Sequence, residues 1–296
     1  MTTVNSIRLS PSAISTFNSC QRRFFHKFVQ KLPEKLTPHK IRGTIVHKAL
    51  EKFFSSIDIM KVKPDGHWHE HWENFRKIMF DIFEEEWGKI GTEGEYKDCF
   101  ADGKEKETFR NESKEFLDFF TVKLAYSLYN KFNELDRDSE WFEANLKKHF
   151  FPKDRELRIE LLDENIIGFI DKTLNLFGKG VAIVDYKTSK TSLPHFITES
   201  DLKQCKAYAY LWNKKFGELP KFISIFYVRD GESVYYPISE KDVEEIENDI
   251  KTIRGKKLEK QEFLMNPTRL CEYCDFFKLC YNSKEEYEGK IKAKWG

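Results

Sequence analysis

Long apolar runs are missing from this chain. No stretch approaches the roughly 18 residues that a membrane span requires, and the segment Met1 to Ser10 has no signal-type apolar core. Both absences point to a soluble, cytoplasmic protein with no membrane contact. An excess of one charge is missing too: 50 Lys and Arg nearly cancel 49 Asp and Glu, leaving +1. That excludes the global basic field many nucleic-acid binders carry, so an anionic partner must meet a local patch. Internal repeats and low-complexity tracts are absent, which excludes a repeat array. What is present suffices for a substantial core. Hydrophobic residues make up 40% and aromatics 15%, with 27 Phe among 296 residues. This length suits one large domain or a core with a helical insertion. In a cytoplasmic setting the six cysteines are expected as thiols or metal ligands rather than disulfides.

Ser10-Pro11 reads as a helix cap followed by proline at the first helical position. A helix is predicted from there through Ile14, Phe17, Cys20, Phe24 and Phe28, then a loop containing Pro33 and Pro38. A second helix is expected from about Arg42-Gly43, carrying Val46, Ala49, Leu50 and Phe53. Trp68 to Phe132 reads as helical with a polar break from about Gly91 to Lys106. Strand signals begin near Trp141 and continue through Leu157 to Leu162. Glu199–Phe216 and Asp242–Leu258 read as helices. Between them, Phe222–Val228 and Ser233–Tyr236 pair across Asp230-Gly231. The expected fold is α/β: a mixed sheet flanked by helices. Its parts are N-terminal helices over 1–57, a helical insertion over 58–135, a core over 136–260 and a cysteine-bearing region over 261–296.

The most informative segment is Ile166–Thr188. β-branched and aromatic residues run up to Gly178-Lys179-Gly180 and resume beyond it, the pattern of a hairpin. With the turn centred on Gly178, Asp171 and Asp185 stand opposite, Cβ atoms roughly 5 Å apart. Alternation puts Lys187 on the face of Asp185, and under strict alternation Ile167, Phe169, Val181 and Ile183 share it. Opposed carboxylates repel, and a divalent cation between them relieves that and creates a reactive site. An exposed hairpin face with solvated charges is the plainer alternative. The apolar neighbours weigh against it, because charges among them need partners or a metal.

Cys271, Cys274 and Cys280 fall within ten residues. A CxxC pair brings two thiolates to one metal across a tight turn, and a third follows closely. Cys20 is the best fourth ligand; Cys99 and Cys205 look incidental. Thiolate-only ligation suits zinc or an iron–sulfur cluster. Tyr273, Phe276, Phe277 and Tyr281 would exclude water, which fits a cluster better. Such a site would clip the chain ends together, so a structural role is expected.

His47 lies one turn from Gly43, which leaves that helix face open to close approach. Alone, it reads equally as a satisfied core histidine. Gln204 and Tyr208 are likewise one turn apart. They can position a phosphate or stack on a base, or form an ordinary helix surface with a half-buried tyrosine. His67, His69 and His71 read as solvated residues at a helix start.

Together, Gly43-x-x-x-His47, Gly168-x-x-Asp171, Asp185-x-Lys187 and Gln204-x-x-x-Tyr208 resemble the RecB-like branch of the PD-(D/E)XK nuclease superfamily. With Cys20, Cys271, Cys274 and Cys280 the pattern resembles its iron–sulfur members, the AddB-type repair nucleases and CRISPR-adaptation exonucleases. The resemblance spans Ser10 to about Tyr281 except the insertion; Ile170 departs from the proline of the name-giving motif. It implies a restriction-endonuclease-like core, a [4Fe-4S] cluster with zinc as the alternative, and DNA hydrolysis with Mg2+ or Mn2+. By motif position His47, Asp171, Asp185 and the Tyr186 carbonyl would hold the cation. Asp171, Asp185 and Lys187 would be catalytic, and Gln204 and Tyr208 would support the site or touch DNA. The expected partners are DNA, single-stranded or with free ends, and repair or CRISPR-adaptation proteins. Lys187, beside two carboxylates, should stay protonated until metal binds. Lys190, Lys203, Lys206, Arg22 and Arg23 are available for phosphates. The competing readings are a non-catalytic nucleic-acid-binding or scaffold subunit that keeps the nuclease fold, and a zinc-stapled structural protein.

Overall fold

The computed structural model describes residues 4–59, 67–90, 99–176, 178–190 and 197–295. Residues 91–98 of the expected polar break, and 60–66 of the expected insertion, lie outside these.

The first helix starts as its sequence dictates. Ser10 Oγ accepts from Ala13 N at 3.2 Å and Pro11 opens α1 (Pro11–Ser19). It does not run on to Phe28. Cys20 is extended (φ −161°, ψ 108°), and helix resumes as α2 (Gln21–Phe24) and a π turn over Phe25–Val29. The C-terminal region takes the backbone groups freed at this break: Arg22 N donates to Leu264 O, and Asn266 Nδ2 to Ser19 O at 2.8 Å. Next, α3 (Pro38–Ser56) begins four residues before the expected Arg42, because Thr37 caps it and Pro38 is its first residue rather than part of a loop. Then come α4 (Trp68–Gly88), α5 (Gly103–Glu134) and α6 (Phe142–Phe150). The strand expected from Trp141 is this last helix instead. Leu146 and Phe150, one turn apart, are its buried stripe, and Phe150 packs on Phe54 of α3 with ring centroids 5.9 Å apart.

A five-stranded sheet follows, ordered β1 (Asp154–Leu161), β2 (Ile166–Asn175), β3 (Val181–Lys187), β4 (Phe222–Tyr227), β5 (Glu232–Pro237). All neighbours are antiparallel except β3 and β4, which α7 (Glu199–Phe216) connects as a parallel pair. With α8 (Glu240–Gly255), short α9 (Phe277–Cys280) and α10 (Lys284–Trp295), this is the mixed α/β arrangement expected. One face of the sheet packs on residues of α1, α7 and α8, with Ile170, Ile183 and Ile225 in the layer. The other packs on α3 to α6 through Val184 and Tyr186. The helices expected as an insertion thus share a core with α3 and the sheet. Strand β3 is buried on both sides up to Lys187, the usual state of a strand covered by two helix layers.

The β2–β3 register follows the Gly178 turn, with Lys172 facing Val184 and Thr173 facing Ile183; Gly178 takes φ 85°, which suits glycine. Strict alternation fails, however. Ile166, Gly168 and Ile170 lie on the α1–α7 side, leaving Phe169 49% exposed, yet Thr173 is fully buried beside Ile183. Ile167 and Phe169 therefore do not share the face of Val181 and Ile183. The switch falls at one rung. Pairing of β1 with β2 runs Arg155↔Lys172 and then Leu157↔Ile170, without Glu156 and Asp171 between them. Glu156 has a left-handed backbone (φ 43°), which turns the strand over. Beyond it Arg155 reaches Ser55, and Lys172 Nζ lies 5.1 Å from the Phe54 ring, both on α3.

Candidate metal centre and cysteine pocket

Asp171 sits at that switch. Its Oδ2 accepts from Tyr186 N at 2.7 Å, and its Oδ1 lies 3.2 Å from His47 Nδ1 on α3. Gly43, one turn before His47, leaves room toward Thr188 Oγ1, 3.6 Å from where a Cβ would stand. Asp185 is 4% exposed. Its Oδ2 is ion-paired with Lys187 Nζ at 2.9 Å. Lys187 donates to Gln204 Oε1 at 2.8 Å and stands 3.7 Å from Asp201 Oδ1. Gln204 Nε2 donates to the Tyr208 hydroxyl, and both project from α7.

The charges respond to this crowding. Burial raises the Asp185 pKa, and Asp171 adds to that; Lys187 opposes it without reversing it. Burial works against the Lys187 ammonium, yet Asp185 and Asp201 outweigh it and raise its pKa. Lys187 is therefore protonated, beside two carboxylates as expected, but the second is Asp201 rather than Asp171. Burial likewise opposes the His47 cation, and the hydrogen bond to Asp171 together with the charges of Asp171 and Asp185 outweighs it and raises its pKa.

The structure thus gathers the predicted residues as two linked groups: His47 with Asp171 and Tyr186 N, and Asp185 with Lys187, Gln204 and Tyr208. The Tyr186 side chain points away, buried on the α3–α6 side with its hydroxyl unpartnered. One residue was missed. Ligand atoms of His47, Glu156 and Asp171 all lie within 4.8 Å of one another. Burial, and next Asp171, push Glu156 up to about 7. Applying to the β1–β2 turn the register reasoning applied to Gly178 sets Glu156 across from Asp171, so the signal was in the sequence. One imidazole nitrogen and the carboxylates of Glu156 and Asp171 fit a divalent cation.

Several expectations fail here. Lys203 pairs with Glu245 and Asp249, Lys206 with Glu245 and Asp242, and Arg23 with Glu34. In this structure each of these cations is paired with carboxylates. His71 is 2% exposed, a core residue rather than a solvated one.

Cys20, Cys271, Cys274 and Cys280 line a single pocket with Arg23, Phe276, Phe277 and Tyr281. Burial, and then the sulfurs of Cys20 and Cys274, push the Cys280 thiol up to about 11. Burial raises Cys274 too, against the Phe276 backbone N–H and Arg23. Among the described residues no three of these sulfurs come within 4.8 Å of one another. Cys205 is buried in α7, and Cys99 lies apart.

Among the described residues no helix is long and apolar enough to cross a membrane. The sequence profile of the PD-(D/E)XK nuclease superfamily matches residues 8–281. Among curated proteins, none matches this chain.

Proposed function

Because the chain belongs to the PD-(D/E)XK nuclease superfamily, whose members are generally nucleases using divalent metals, we propose that it is a metal-dependent DNA exonuclease. It acts on single strands or free ends, in the manner of the RecB-like branch, in repair, recombination or CRISPR adaptation. One observation carries this reading. A carboxylate buried to 4% exposure is ion-paired with a lysine, next to a histidine–aspartate pair. A binding-only protein gains nothing from so costly an arrangement.

Bound Mg2+ or Mn2+ supplies a water of lowered pKa and neutralises phosphate charge. His47, Asp171 and Asp185 hold it, with the Tyr186 carbonyl. Lys187, held by Gln204 and Asp201, presents its ammonium to the attacking water or the scissile phosphate. Tyr208 fixes the Gln204 amide. The four cysteines carry a [4Fe-4S] cluster, a reading supported by their shared pocket and its aromatic lining; brown protein absorbing near 400 nm is expected, and colourless zinc protein would contradict it.

The test is end-labelled single- and double-stranded DNA, of both polarities, with Mn2+, Mg2+ or chelator. Metal-dependent release of label from ends is expected. No cleavage under any condition would favour the binding subunit.

A further inference from the structure

We infer that Glu156 is a ligand of the divalent cation, which it holds together with His47 and Asp171. This rests on the metal-dependent reading above and changes its ligand set. Three donors from three separate elements, α3, β1 and β2, already converge within 4.8 Å. His47 and Asp171 have side chains 30% and 11% exposed, so a hydrated ion can reach them.

On the strand of Glu156, Glu160 is neutralised by Arg8 and Arg158. Among the described residues no lysine or arginine forms an ion pair with Glu156. Its carboxylate instead faces that of Asp171, which destabilises a sheet unless a cation intervenes. The neighbouring Asp185 is turned to Lys187, 2.9 Å away, and is not within the 4.8 Å group. An imidazole with two carboxylates favours Mn2+ over Mg2+.

The test uses the metal-stripped full chain as wild type, Glu156→Gln and, as a control on the same strand, Glu160→Gln. Mn2+ binding is followed by the electron paramagnetic resonance of free Mn2+, and unfolding is measured with and without Mn2+. Glu156→Gln should weaken Mn2+ binding by at least about tenfold. It should shrink the Mn2+-induced rise in Tm and raise the metal-free Tm, since the carboxylate repulsion is gone. Glu160→Gln should bind as wild type does. Should Glu156→Gln fail to fold, Glu156→Asp replaces it, with the carboxylate withdrawn by one methylene and weaker binding again expected. Wild-type Mn2+ affinity in the Glu156 variant, with wild-type DNA cleavage intact, overturns this inference alone. A wild type that neither binds Mn2+ nor cleaves DNA overturns it together with the reading beneath it.

Discussion

The acidic centre and the cysteine pocket are built on different kinds of backbone. His47, Glu156, Asp171, Asp185 and Lys187 stand on long elements, α3 and the paired strands β1 to β3. The four cysteines stand at breaks: Cys20 between α1 and α2, Cys271 in a 3-10 turn, Cys274 just past it, Cys280 ending one-turn α9. Secondary structure holds the first group in place whether or not a cation is bound. The second is held by a few contacts such as Arg22 N to Leu264 O and Asn266 to Ser19 O, together with the pocket's contents. The acidic centre should therefore lose chemistry before fold, and the cysteine pocket fold before chemistry.

The largest effect that can break this contrast is Asp185→Ala or Lys187→Ala. Each should lower cleavage by about 10³-fold or more with Tm within a few degrees of wild type; wild-type cleavage in a pure preparation contradicts the assignment. Next is Cys274→Ala. Soluble yield, Tm and bound iron should all fall, while cleavage per folded molecule changes little. A fully folded but inactive Cys274→Ala reverses the contrast.

Gln204→Ala sharpens it on a smaller scale. Losing one hydrogen bond to a charged group costs about 1.5–3 kcal/mol, so roughly ten- to a hundredfold in kcat is expected, with an altered pH profile as Lys187 loses its acceptor.

Smallest is a pH effect near the cysteines. Burial would raise the Glu34 carboxyl, but Arg23 and Lys27 hydrogen-bond to it and bring it down to about 2. A lowered folded pKa contributes stability above the ordinary value of 4.5, lost as pH falls to about 2. Tm of wild type should exceed that of Glu34→Gln at neutral pH and converge with it below about pH 2. A difference independent of pH contradicts the ion-pair account.

Much of the acidic centre could be read beforehand because its signals are local. The Gly178 turn and the flanking β-branched runs set the β2–β3 register, and α7 has the bounds its pattern indicated. What was hidden depends on contacts distant in sequence. Nothing local marks Glu156 as left-handed, so the face switch at Asp171 was invisible, and with it the true neighbours of Phe169. Cys20 looked like a mid-helix residue because the segment that breaks the helix there, Leu264 to Asn266, lies near the other end of the chain. The Lys203 and Lys206 partners come from α8, and no pattern within α7 shows them.

The central claim is that Asp171 anchors a cation between α3 and the strands. Titrating Mn2+ calorimetrically into metal-stripped wild type and Asp171→Asn tests it directly. The account predicts saturable binding to wild type that Asp171→Asn abolishes while both remain folded. Equal binding by the two proteins would contradict it.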